Sequence, residues 1–284
     1  MRCQFVHQVL KVDDEIHKNF VNISEPIIQA KFFRVQRDSI TQTENRTIIV
    51  SDFHHPPNLC DIISLLHFSN VGMSEDLTKY LLKQLLEALN FLHSRGAAHL
   101  NIKPDNIYLD DNCNIILSNY ENSMIVPSNG IITSRACKNQ YSPPEVINCN
   151  CDNCPYDAFK RDIYQMGAVF FSAITGTFHG IYKQMPDWNG QNKKFTPELQ
   201  DLIERMLSYY PHDRPSADEL LQHPWFNLTT HPCTSKIQLG ILEFSEFAVY
   251  LRDQSVDDMY VWNYSEELQA DIKKHDFIAE PDNQ

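Results

Sequence analysis

Glycine is scarce in this chain, with eight residues in 284, at positions 72, 96, 130, 167, 176, 180, 190 and 240. No two are separated by a single residue. A G-x-G-x-x-G loop, whose backbone N–H groups cradle phosphates, is therefore impossible here. The patterns G-x-x-x-x-G-K-[ST], H-E-x-x-H and G-x-S-x-G are missing too. Positive charge is also in short supply, with 24 Lys and Arg against 37 Asp and Glu, a net charge of −13. That balance argues against nonspecific nucleic-acid binding and against docking on anionic membrane. Long apolar runs are lacking. The longest lies around Ala168–Ile174, well short of the roughly 20 residues that cross a bilayer. Met1–His7 has no apolar core of the kind a signal peptide needs. The expectation is an intracellular chain, cytoplasmic or nuclear, with neither nucleic acid nor membrane as a partner.

Cysteine is not lacking: there are eight. In an intracellular chain of this size they are expected to be free thiols rather than bridges. Cys149, Cys151 and Cys154 cluster in one polar loop. Zinc would need a fourth ligand, from Cys137 or His179. Free thiols are the preferred reading, and no metal site is expected.

Hydrophobic residues make up 42% of the chain, which excludes a composition typical of disorder. A chain of this length buries about 75% of its unfolded surface, enough for one large domain or two lobes. The clearest element is a helix from Ser74 to Gly96. Ser74 is a good N-cap, Glu75 and Asp76 suit the positive end of the dipole, and Leu77, Leu81, Leu85, Ala88, Leu89 and Leu92 form one apolar stripe. Gly96 is its expected stop. A shorter helical run covers Asn58–Phe68. Thr47–Val50 reads as a strand preceded by a polar turn, Thr41–Arg46. Ile107–Leu109 and Ile115–Leu117 read as two short strands. Asp162–Thr175 is almost wholly apolar and reads as a buried central helix. Pro197–Leu207 is amphipathic, and Ser216 caps a short helix that stops at His223-Pro224.

The order of landmarks on these elements resembles the eukaryotic Ser/Thr protein kinase family. His99-Leu100-Asn101-Ile102-Lys103-Pro104-Asp105-Asn106 is similar to the catalytic loop H-R-D-x-K-x-x-N. Ser118-Asn119-Tyr120-Glu121 stands at the D-F-G place, and Tyr141-Ser142-Pro143-Pro144-Glu145 resembles the A-P-E segment. Asp162-Ile163-Tyr164-Gln165-Met166-Gly167 is similar to the family's D-x-W-x-x-G helix start. Asp213-Arg214-Pro215 and His223-Pro224-Trp225-Phe226 match its end, and Val50-Ser51-Asp52-Phe53 looks like its hinge. The resemblance runs over about residues 45–227.

It implies an α+β, protein-kinase-like two-lobe fold. Residues 1–53 would form a reduced, β-rich small lobe and 54–227 an intact helical large lobe. Residues 228–284 would be a C-terminal extension with an apolar cluster, an aromatic patch at Tyr260, Trp262 and Tyr264, and a helix over Glu266–His275. The resemblance also implies site positions. Asn101 stands where the family has its catalytic aspartate and Asn119 where it has its metal-holding aspartate. Lys103 and Asn106 keep the phosphate-contacting and second-metal positions. His99 and Tyr120 are packing rings. Glu145 and Arg214 would form a buried ion pair, and Asp162 would anchor the catalytic-loop backbone. Ser51, Asp52 and Phe53 would meet an adenine. The lysine of the family's third strand falls on Lys11 in one register and on Gln8 in another, with Glu15 as a possible helix partner. Leu100 replaces an arginine that holds an activation-loop phosphate, and Lys138 stands near the usual threonine of the substrate loop.

An amide has neither useful basicity nor charge near neutral pH. Two amides at catalytic positions imply a catalytically impaired pseudokinase that acts by binding another protein, without a cofactor. The alternative is an active Ser/Thr kinase with unusual residues, using ATP with Mg²⁺.

Overall fold

The computed structural model describes residues 4–10, 39–43, 46–52, 58–68, 72–109, 115–120, 122–133, 138–150, 154–176, 188 and 195–228. Lys11, Glu15, Phe53, Glu121, Cys137 and the extension from 229 onward lie outside them. Two units divide the chain, with β1–β3 in one and every later described element in the other.

In the first unit, β1 (Gln4–Leu10), β2 (Ser39–Thr43) and β3 (Arg46–Asp52) form an antiparallel sheet in the order β1-β3-β2. The central strand holds Thr47-Ile48-Ile49-Val50, a β-branched run that fits a pleated surface. The polar turn expected over Thr41–Arg46 is corrected. Thr41, Gln42 and Thr43 pair with Ile48, Thr47 and Arg46, so only residues 44–45 separate the strands. Threonine is polar in a hydropathy reading but β-branched in a sheet, and the sheet decides. Gln8 pairs with Ile49, just past a register shift between Val6 and Gln8. Ser51 and Asp52 close β3.

The second unit is helical. Helix α1 spans Leu59–Phe68 and α2 spans Glu75–Ser94. Ser74 caps α2 by accepting from the Leu77 N–H at 3.3 Å, and Gly96 follows it at φ +70°. Leu81, Leu82, Leu85, Leu86, Leu89 and Leu92 are all buried. Each such leucine stabilises by about 1.5–3 kcal/mol relative to exposure. Beyond α2 come β4 (Ala97–Ala98), β5 (Ile107–Leu109), β6 (Ile115–Leu117), β7 (Met124–Ile125) and β8 (Ile131–Thr133). Then follow α3 (Pro144–Ile147), β9 (Pro155–Asp157) and α4 (Ala158–Thr175). The last helices are α5 (Pro197–Met206) and α6 (Ala217–Leu221). The strands pair as β4–β7, β5–β6 and β8–β9.

Helix α4 is the axis of this unit, buried from Arg161 through Ile174. It starts four residues before the expected Asp162. Asp157 caps it, accepting from the Lys160 N–H at 3.0 Å, and Arg161 is buried with its guanidinium donating to the Tyr156 hydroxyl. Asp162 is thus an interior helix residue with its carboxylate inside the protein. A Cβ on Gly167 would lie 2.7 Å from Cβ of Met206, so glycine sets how closely α5 approaches α4. Among the described residues, no helix is long and apolar enough to cross a membrane.

The cysteine expectation also needs correction. Cys149 and Cys154 form a disulfide, with Cα atoms 6.1 Å apart, while Cys60 is a free thiol. The chain leaves α3 through Asn148 and returns into β9 at Pro155, which brings the two cysteines within bridging distance.

Candidate active site

The loop 99–106 is built from the Asp162 carboxylate outward. Its Oδ2 accepts from the His99 N–H and its Oδ1 from the Leu100 N–H, both at 2.7 Å. His93 Nε2, from the last turn of α2, lies 3.1 Å from the same Oδ2. Asp162 is fully buried, so these contacts are charge-assisted and short in a low-dielectric setting. One turn further along α4, Gln165 Oε1 accepts from the Ile102 N–H at 3.3 Å.

Leu100 adopts φ +63°. Left-handed backbone costs a leucine roughly 1–2 kcal/mol. Two features hold it there, the Asp162 bond to its N–H and an apolar pad. Its side chain lies in a buried cluster with Ala98, Val126, Ile132, Val146, Tyr156 and Ala158. Where the resemblance has an arginine reaching for a phosphate, this chain has a hydrophobic contact with β8, β9 and α3.

His99 is fully buried, and burial pushes its imidazole below the usual histidine value. It is therefore the neutral ring. Nδ1 accepts from the Asn101 N–H at 3.3 Å, so Nε2 carries the proton and donates to the Ser118 carbonyl at 3.0 Å. The ring also meets Tyr120 edge-on, with centroids 4.8 Å apart. In this way His99 ties the catalytic-loop position to the segment 118–120.

Asn101 is 7% exposed, and its carbonyl accepts from Asn106 Nδ2 at 2.7 Å. The Asn106 carbonyl in turn accepts from the Ser118 N–H at 2.9 Å and the Ser118 hydroxyl at 3.1 Å. Asn119 follows at φ +65°, a region that asparagine and aspartate visit more readily than most residues. Its Oδ1 is buried and has no hydrogen-bond partner among the described residues, which costs about 1–3 kcal/mol. Lys103 Nζ lies 3.7 Å from the Asp105 carboxylate, with both side chains partly exposed; such a pair contributes little. Nearby, burial first, then the Asp105 and Asp61 carboxylates, push the Cys60 thiol up to about 11. It is no nucleophile at neutral pH.

Magnesium holds to a protein through one or two carboxylates together with the phosphates. The side chain at 119 offers a neutral amide oxygen, and Asn106 donates its amide nitrogen to the Asn101 carbonyl, a bond that does not engage its Oδ1. Among the described residues no three His, Cys, Asp or Glu side chains gather as a metal site.

Behind the loop, Arg214 is satisfied at every N–H. Nη1 and Nη2 donate to the two Glu145 oxygens at 2.7 and 2.8 Å. The remaining donors meet the carbonyls of Ser208, Lys160 and Tyr209. The guanidinium also stands 4.7 Å over the Tyr164 ring. Burial first, with Glu145 adding to it against Arg214, pushes the Tyr164 hydroxyl up to about 12.

Of the sequence-predicted positions, the structure gathers His99, Asn101, Asn106, Asn119, Tyr120 and Asp162, and brings Glu145 to Arg214. Lys11 and Phe53 fall outside the described residues, and of Ser51 and Asp52 only the strand position is described. Sequence reasoning missed His93 and Gln165. For Gln165 a signal existed in its i,i+3 spacing from Asp162, which puts both on one face of α4. His93 was read only as a dipole-compensating residue.

A family model described as protein kinase domain matches residues 17–226; β1 lies before that span. The fission-yeast Ser/Thr-protein kinase cds1 is 31% identical over 217 residues, covering 69% of this chain and 45% of the relative. The human phosphorylase b kinase gamma catalytic chain, liver/testis isoform, is 30% identical over 173 residues, 55% of this chain and 42% of the relative. The fission-yeast Ser/Thr-protein kinase chk1 is 28% identical over 199 residues, 64% and 38% respectively. The chain spans less than half the length of these curated relatives. With a match over most of its length and an α+β fold carrying the family's landmarks in order, the chain belongs to the protein kinase domain family.

Proposed function

We propose that this chain is a pseudokinase, a protein kinase domain that has lost phosphoryl transfer and acts by binding another protein in signalling. One observation carries the reading. The catalytic-loop frame is complete while its two reacting positions, Asn101 and Asn119, carry neutral amides. Phosphoryl transfer on this scaffold is positioning plus charge neutralisation, with an aspartate at the substrate hydroxyl and another at the metal. Asn101 supplies no base. Asn119 supplies no charge for a hard cation, and a G-x-G-x-x-G roof cannot be written in this sequence. Removal of one electrostatic contributor typically takes about 2.7–4 kcal/mol from transition-state stabilisation. Two such losses leave little rate. The partner is a protein, since the acidic charge balance opposes nucleic acid and anionic membrane.

The test is radiolabelled ATP with generic protein substrates and the purified chain. The expected result is no transfer above background, with Mg²⁺–ATP binding weaker than about 1 mM by calorimetry. Robust transfer that Lys103→Ala abolishes would overturn the reading in favour of an active Ser/Thr kinase.

A further inference from the structure

The disulfide between Cys149 and Cys154 occupies a particular place in the fold. Cys149 lies two residues beyond the end of α3, and Cys154 immediately precedes β9. Val146 of α3 and Tyr156 of β9 both belong to the buried cluster that receives Leu100. The crosslink therefore closes the open end of the platform on which the strained catalytic-loop residue rests. Two further contacts share that end. The Lys138 ammonium donates to the carbonyls of Ile147 and Cys149. Tyr156 pairs with Ile132 across β8–β9 and accepts from Arg161. Both cysteines are partly exposed and flanked by the exposed residues Asn148, Asn150 and Pro155.

We infer that Cys149 and Cys154 form a reversible redox pair that tightens or loosens the Leu100 platform. The reaction is thiol–disulfide exchange. A low-molecular-weight thiolate attacks one sulfur, forms a mixed disulfide and releases the other sulfur as a thiolate, which takes up a proton. A second thiol then attacks the mixed disulfide. The protein gains two electrons and two protons, and the two small thiols leave as their disulfide. Cys60 does not compete, because its half-buried thiol ionises only at high pH. The open form parts Cys149 from Cys154, and through Val146 and Tyr156 relaxes the contact under Leu100. The inference is independent of nucleotide binding.

The experiment equilibrates the full chain carrying Cys151→Ser in glutathione buffers from fully reduced to strongly oxidised. Alkylation is read by mass spectrometry, and amide hydrogen exchange is measured at both ends of the series. Cys149 and Cys154 are expected to lose alkylation together, at a midpoint inside the series. Amides of residues 131–133, 156 and 157 should exchange on the order of tenfold faster in the reduced form. The Cys149→Ala/Cys154→Ala double variant should behave like the reduced chain in every buffer. Full alkylation at every ratio, or a crosslink that survives the most reducing buffer, would overturn the switch. Reversible pairing without a change in exchange would overturn its link to Leu100.

Discussion

The frame around the catalytic loop and the reacting positions on it have diverged. In the frame, carboxylates remain: Asp162 holds two backbone N–H groups at 2.7 Å, and Glu145 chelates Arg214. At the two positions where the resemblance expects carboxylates, this chain carries the amides Asn101 and Asn119. A carboxylate that accepts several hydrogen bonds inside the fold, fully buried at Asp162 and partly exposed at Glu145, is hard to lose, because its partners are left unpaired. A carboxylate whose partner arrives only with a substrate leaves nothing unpaired in the free protein when it is lost. The comparison separates what folding needs from what chemistry needs.

The largest effect should come from the frame. Arg214→Ala strands Glu145 and three carbonyls, and should cost about 3–5 kcal/mol. Asn101→Ala should cost under about 1 kcal/mol. Thermal unfolding of both variants reads the contrast, and equal midpoints would break it. Next comes Asp162→Asn, which keeps one acceptor but loses the charge that binds His99, Leu100 and His93. A loss of about 1.5–3 kcal/mol is expected, with faster hydrogen exchange at the amides of 99 and 100. The smallest effect lies far from the site. Partial burial pushes the Asp201 carboxyl up, but hydrogen bonds from His223 and Arg205 outweigh it and hold it below the usual value. Its folded value being depressed, the contribution is present above about pH 4 and fades as pH falls through the folded value. Asp201 is half exposed, so Asp201→Asn should remove under about 1 kcal/mol at pH 7 and less at pH 2, as chemical denaturation at the two pH values would record.

Much of the helical unit was legible. Ser74, the leucine spacing and Gly96 define α2 to within two residues, because capping and amphipathicity are local. The pair of strands over Ile107–Leu109 and Ile115–Leu117 was legible for the same reason. What escaped depends on tertiary structure. The first turn of α4 is polar in sequence, and only the fold shows Arg161 turned inward onto Tyr156. The disulfide escaped because six residues of polar loop say nothing about the path between α3 and β9. His93 escaped because its partner lies 69 residues away.

The left-handed backbone at Asn119 has a consequence on an evolutionary scale. Asparagine and aspartate are nearly the same shape and share an unusual tolerance for this conformation. Their codons differ by one base at the first position. The codon relation holds at Asn101 too, although its backbone is not left-handed. A lineage that keeps this backbone geometry therefore keeps both acids one transition away. A change to an ionised side chain at Asn119 would meet no conformational barrier.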